Sequence, residues 1–280
     1  MRTNDIKELK LLAANGRKNV LEMIKIGKGG HLGPAYSCMD VVAALYGHTM
    51  NVDPKDPKMA GRDIFLVSAG HKAMAQYAVM AELGFFSKEV FNTFERFGSS
   101  IPGHPCMHLL PGIEANTGSL GHGISLACGM ALAKKLNKTG ERVFVITGDG
   151  ELAEGSNWEG AAIAAHYGLD NLTVIVDHNG LQISGTNEEV MNLQPIAGHF
   201  AGFGWATAEI NGNSMEEVVA ALDNLPLAKG KPSLICANTT KGFGCSMVAG
   251  KVGCHFVAHS DELYETTMKE LDQMIAEVRA

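Results

Sequence analysis

The cysteines of this chain form no Cys-x-x-Cys pair; Cys38, Cys106, Cys128, Cys236, Cys245 and Cys254 are scattered along 280 residues. That pattern argues against a disulfide framework and against a structural zinc site. Reduced thiols in a cytoplasmic protein are the expectation. No apolar run approaches the ~20 residues that span a bilayer. The start, Met1 to Glu8, is polar and leads into an amphipathic pattern, unlike a signal peptide. Positive charge is also short, with 23 Lys and Arg against 30 Asp and Glu and a net charge of −7. This excludes the basic face of a general nucleic-acid binder. It leaves room for an anionic cofactor, because a metal ion and helix N-termini supply local positive potential. Internal repeats, low-complexity tracts and clear linkers are missing too. One domain over residues 1–280, with a substantial core, is the simplest division.

What is present is glycine, 33 residues of it, and a regular alternation of helix and strand patterns. Apolar positions Ile6, Leu9, Leu12, Ala13, Val20 and Ile24 predict a helix over 5–26, ended by Gly27, Gly29 and Gly30. A second helix is expected over Asp40–Met50 with Asp40 as N-cap, then a short buried strand at Asp63–Ser68. Helical stretches follow near 71–83 and 87–95. Residues 98–120 read as an ordered, functional loop. Beyond it the pattern runs helix 122–137, strand 142–147, helix 154–167, strand 172–177, a loop, strand 205–210, helix 214–224 and strand 233–239. A glycine-rich loop over 240–260 and a helix over 261–278, capped by Ser260 or Asp261, complete the chain. Continuous apolar strands between helices predict an α/β fold: a mostly parallel sheet covered by helices on both faces. Ligands of such sheets bind beyond the carboxyl ends of the strands.

Two residues stand at such ends. Asp149 follows the apolar run Val143–Thr147, and Asn179 follows Leu172–Val176. A carboxylate, an amide oxygen and the backbone carbonyl of Leu181 form an oxygen set suited to Mg2+ (or Ca2+), shared with the oxygens of a diphosphate. Gly150, opening a tight turn into a helix, lets that diphosphate approach the backbone.

These residues resemble the diphosphate-binding half of thiamine diphosphate enzymes, and further strings are similar to the transketolase family. They are Gly29-Gly30-His31-Leu32-Gly33, Ser68-Ala69-Gly70-His71, Pro102-Gly103-His104-Pro105, Thr117-Gly118-Ser119-Leu120-Gly121, Gly148 to Gly155 and Lys241-Gly242-Phe243-Gly244. The resemblance runs in order from about residue 10 to 260. It implies the thiamine diphosphate-binding fold and transfer of a two-carbon ketol unit from a ketose to an aldose in pentose phosphate chemistry. Asp149, Asn179 and Leu181 would hold the metal. His71, His255, Gly118, Leu120, Gly150, Asn179 and Leu181 would contact thiamine diphosphate. His31 and His104 would bind the hydroxyl groups of the donor, with His255 near the reaction centre; neutral imidazoles also relay protons near pH 7. Glu154, at the start of its helix, has two readings: a residue favoured by the helix dipole, or a carboxylate at a subunit interface that couples cofactor sites. Glu151 and Glu159 match no role and are expected to face solvent or cap.

A typical transketolase continues into a pyrimidine-binding and a C-terminal domain. This chain is therefore expected to be the N-terminal subunit of a split transketolase. Its partner would carry both missing domains and the glutamate that activates the cofactor, in an α2β2 heterotetramer. Three departures lie near the expected substrate entrance: Cys106 after Gly-His-Pro, His122 after Gly121, and Cys254-His255-Phe256 in place of a Trp-His-Gly-like string. They point toward a deoxy, branched or sulfonated sugar. They also leave His259 as an alternative to His255. The α-type subunits of 2-oxo acid dehydrogenases share the metal motif but not the other strings. Deoxyxylulose-phosphate synthase normally carries the pyrimidine half in the same chain. A non-catalytic assembly or regulatory subunit is the alternative from another class.

Overall fold

The computed structural model describes residues 2–280. Its strands are β1 (Gly29–Gly30), β2 (Ile64–Val67), β3 (Val143–Gly148), β4 (Leu172–His178), β5 (Ala206–Asn211), β6 (Ser233–Asn238) and β7 (Val257–Ala258). Its α-helices are α1 (Ile6–Gly27), α2 (Leu32–Ser37), α3 (Met39–Ala44), α4 (Ala73–Glu82), α5 (Gly123–Asn137), α6 (Gly155–His166), α7 (Asn187–Val190), α8 (Ile196–Gly202), α9 (Met215–Asp223) and α10 (Asp261–Arg279). Five strands form one parallel sheet in the order β2-β3-β4-β6-β5.

The strand side chains alternate between two cores, as the pleat requires. Phe65, Phe144, Ile146, Ile175 and Ile235 point to one face, against residues of α1, α3, α4, α9 and α10. Leu66, Val143, Val145, Val174 and Leu234 point to the other, against α5, α6 and α8. Fully burying each such side chain contributes roughly 1.5–3 kcal/mol. This double burial explains why β3 and β4 read as unbroken apolar runs. In the β3–β4 register Gly148 lies beside Asp177, so both chains leave the sheet together at one edge.

A second sheet has only two strands. β1 pairs antiparallel with β7, Gly29 opposite Ala258 and Gly30 opposite Val257. The ladder draws the residues after Gly30 against those before Val257. Gly33 is required there: a Cβ on it would lie 2.4 Å from the Cys254 carbonyl oxygen.

The sequence pattern misses several features. Asp40 is not an N-cap; it lies within α3, where its buried carboxylate pairs with Arg17 (2.5 Å) and accepts from Asn213. The helix expected over 40–50 is α3 followed by a π-helical turn, Leu45–Thr49. The stretch expected near 87–95 is a 3-10 turn, Lys88–Thr93. The loop between β4 and β5 contains α7 and α8, and the loop over 240–260 contains a 3-10 turn and β7. Residues 98–120 have no regular helix or strand, as expected. All six cysteines are free thiols. No helix among the described residues is long and apolar enough to cross a membrane.

Candidate active site

A cleft of about 460 Å³ opens at the carboxyl ends of β3 and β4. Asp149, the residue after β3, is 5% exposed. One of its carboxylate oxygens accepts from the Gly150 N–H (2.8 Å), the other from the Gly180 N–H (2.7 Å) and Asn187 Nδ2 (2.9 Å). Asn179 follows β4. Its Oδ1 accepts from the Leu181 N–H and its Nδ2 donates to Asp177, each at 3.2 Å. Asp149 and Asn179 both line the cleft.

The Leu181 carbonyl has a different partner from the one expected. It accepts from Lys241 Nζ at 2.9 Å. Burial, reinforced by the charge of Lys72, lowers the Lys241 pKa to about 8. A carbonyl has two lone pairs, so the contact leaves one for a cation.

The donors on offer are a carboxylate, an amide oxygen and a carbonyl, all hard oxygens. Among the described residues no group of three or more His, Cys, Asp and Glu could hold a metal. This set fits a cation shared with an anionic ligand better than one caged by protein alone. The rest of the cleft fits such an anion. Lys72 and Lys241 line it, and Gln182 Nε2 is a buried donor without a partner among the described residues. Buried polar atoms are rarely left unsatisfied.

Four histidines meet opposite this edge. The ring of His31 lies 5.5 Å from His71, 5.9 Å from His104 and 5.4 Å from His255, and His71 lies 4.8 Å from His255. Burial, with help from His104, lowers the His31 pKa to about 4. Burial, then Lys241, His31 and Lys72, lowers His255 to about 3. Burial lowers His104, and burial with the Lys72 charge lowers His71 strongly. All four are therefore neutral at pH 7, each with one acceptor and one donor nitrogen. His255 Nδ1 is buried without a partner among the described residues.

Gly118, Leu120 and Gly150 also line the cleft. Gly118 has φ 134, and a Cβ there would lie 2.7 Å from His104 Cδ2, so a side chain would displace that ring. His259 lies apart, 6.2 Å from the Tyr264 ring, and does not line the cleft. Phe256, half-exposed, packs edge-on against His31 at 5.1 Å. Glu154 is exposed as the N-cap residue of α6 and is not part of the cleft lining.

Glu151 corrects an expectation. It does not face solvent but is 3% exposed in the cleft wall. Its carboxylate accepts from the Ser68 hydroxyl, the Gly121 N–H (3.0 Å) and the Gly148 N–H (3.1 Å), tying three loops together. Burial raises its pKa despite those bonds. Sequence reasoning also misses Lys72, Gln182 and Asp177. Lys72 directly follows His71, and Asp177 is the charge that ends an apolar strand; in the sequence each is an oddity without a partner. Lys241 stands in a matched string with no role attached.

Residues 9–273 match the family model described as transketolase, thiamine diphosphate binding domain. The chain is 41% identical over 270 residues to one subunit (the A chain by name) of the apulose-4-phosphate transketolase of Phocaeicola vulgatus, covering 96% of each. It is 39% identical over 258 residues to a 6-deoxy-6-sulfo-D-fructose transketolase subunit of Clostridium sp. (strain MSTE9), covering 92% of this chain and 94% of that one. Among solved structures, the transketolase of Campylobacter jejuni superposes with a TM-score of 0.90 at 27% identity, covering 98% of this chain and 46% of that chain. The chain thus spans less than half of that enzyme and nearly all of the two subunits.

Proposed function

Because this chain belongs to the transketolase thiamine diphosphate-binding domain family, we propose that it is the diphosphate-binding subunit of a two-subunit transketolase. Relatives matched over nearly their full lengths are named as subunits, which supports the existence of a partner. We assign residues 1–280 to one domain, an α2β2 assembly to the complex and the cytoplasm to its location; the six free thiols fit that compartment.

The observation that carries the reading is the pairing of an oxygen-donor edge, Asp149 and Asn179, with four neutral histidines across one cleft. Asp149, Asn179 and the Leu181 carbonyl would hold Mg2+ or Ca2+, and with it the diphosphate. Lys72 and Lys241 add positive charge, and the Gly150 N–H and Gln182 lie on the same side. Gly118 and Leu120 would flank the organic part of the cofactor. When bound, thiamine diphosphate supplies the electron sink that lets a carbon–carbon bond beside a ketose carbonyl break and reform.

The side chains bind, orient and move protons. His31 and His104 would hydrogen-bond sugar hydroxyls, and a neutral imidazole can take a hydroxyl proton and return it. His255, with its free Nδ1, would do so nearest the diphosphate, alongside His71. Glu154, exposed on the outer surface, is assigned to an interface between subunits.

The test is to reconstitute the chain with its partner, then assay ketose donors against aldose acceptors. The names of the two relatives put apulose-4-phosphate and 6-deoxy-6-sulfo-D-fructose first in that panel. Ketol transfer dependent on thiamine diphosphate and a divalent cation is expected. Its absence with every pair would sink the proposal. Asp149→Ala should remove the cation and the cofactor with it. The loss should exceed the roughly hundredfold that changes outside the ligands reach, read by calorimetric titration.

A further inference from the structure

We infer that Asp177 is a positioning residue that fixes which end of the Asn179 carboxamide faces the cation. The inference rests on the reading of Asn179 as a cation ligand and adds a residue to it.

Asp177 is 1% exposed near the end of β4, where every preceding apolar residue of the strand is core. A further apolar residue would satisfy the sheet equally well. A buried ion pair is in general no more stabilising than well-packed apolar residues of similar volume. Its presence calls for another reason. The carboxylate collects donors from three separate elements: the Ser37 hydroxyl of α2 (2.5 Å), the Lys72 ammonium before α4, and the Thr239 hydroxyl after β6 (2.5 Å). A fourth donor is Asn179 Nδ2 at 3.2 Å.

The last contact has a chemical consequence. The two ends of a carboxamide are nearly equal in shape and opposite in function: one accepts, the other donates. A hard cation takes the oxygen only. An amide that turns over presents N–H groups to the metal. Asp177, ionised and acceptor-only, holds the nitrogen end, while the Leu181 N–H holds the oxygen end. The three other donors keep the carboxylate from rotating away.

The variants must remove the acceptor without stranding Lys72. Lys72→Met with Asp177→Leu replaces the pair by apolar residues and leaves the net charge unchanged. We compare it with Lys72→Met alone, each reconstituted with the partner subunit, measuring Mn2+ affinity by electron paramagnetic resonance with thiamine diphosphate present. The double variant should bind Mn2+ about 10–100-fold more weakly, the range for residues that orient metal ligands. Adding Asn179→Asp should restore most of that loss, because a carboxylate has two equivalent oxygens and needs no orientation. Equal affinity in the single and double variants, or failure of Asn179→Asp to restore it, overturns the inference. Asp149→Ala separates the two levels. If it leaves Mn2+ affinity unchanged, the cation site itself is wrong and both readings fall.

A measurement on the unaltered chain covers the case in which the double variant does not fold. The carboxamide protons of Asn179 should exchange slowly in metal-free NMR spectra. Exchange as fast as that of the exposed Asn224 would overturn the anchoring.

Discussion

His31 sits at the centre of the imidazole cluster, and its low pKa has a measurable cost. The unfolded chain takes up a proton near the ordinary value of 6.5, whereas folded His31 resists it to about 4. Across that window the unfolded state binds more protons, so stability is full above pH 6.5 and declines as pH falls. His255 extends the decline to about 3. Melting temperature recorded from pH 7.5 to 4 should fall, and His31→Gln should flatten part of the slope. An unchanged slope would contradict the buried, neutral state. Gly118→Ala is expected to cost about 1–3 kcal/mol for a strained backbone conformation, read by denaturant titration, and to weaken thiamine diphosphate binding through His104. Individual residues differ in how well the sequence announces them. Asp149 and Asn179 are legible because each ends an apolar run. Glu151, Lys72 and Asp177 are not, since their meaning depends on which distant loops meet: Ser68, Gly121 and Gly148 for Glu151, Ser37 and Thr239 for Asp177.

At the scale of elements, β3 and β4 carry the burden. Their ends hold Asp149 and Asn179, and their middles lie in both cores. Phe144, fully buried in β3, tests this. Phe144→Ala should destabilise the chain by about 3–5 kcal/mol, measured by urea unfolding. A cost under about 1 kcal/mol, the size of an ordinary surface effect, would contradict the packing. The main strands and long helices are readable because their periodicities are strong: 3.6 residues for α1 and α10, unbroken apolar runs for strands covered on both sides. The short pieces are not. β1 is only Gly29-Gly30, and nothing local marks two glycines as a strand whose partner lies at Val257-Ala258. The π-helical turn after α3 is likewise a tertiary outcome, and Asp40 is drawn into the interior by Arg17.

At the scale of the molecule, the cleft is half of a reaction site. Its acidic lining residues are Asp149 and Glu151. The first is held by three donors beside the proposed cation, the second by Ser68, Gly121 and Gly148. Neither is free to activate the organic head of a cofactor, a task the family resemblance gives to the partner. The purified chain alone should therefore give no ketol transfer, and titrating in the partner should restore it to saturation at a fixed stoichiometry. Steady turnover without a partner would contradict this.

The pairing of β1 with β7 also bears on how the protein is made. His31 leaves the ribosome early, but the strand that brings His255 beside it is completed only at Ala258. A nascent chain therefore exposes its oxygen ligands and its first three cleft histidines well before the fourth can join them. A product interrupted before that point contains Asp149 and Asn179 yet has no finished cleft. Quality control on cofactor capture is thus built into the order of translation.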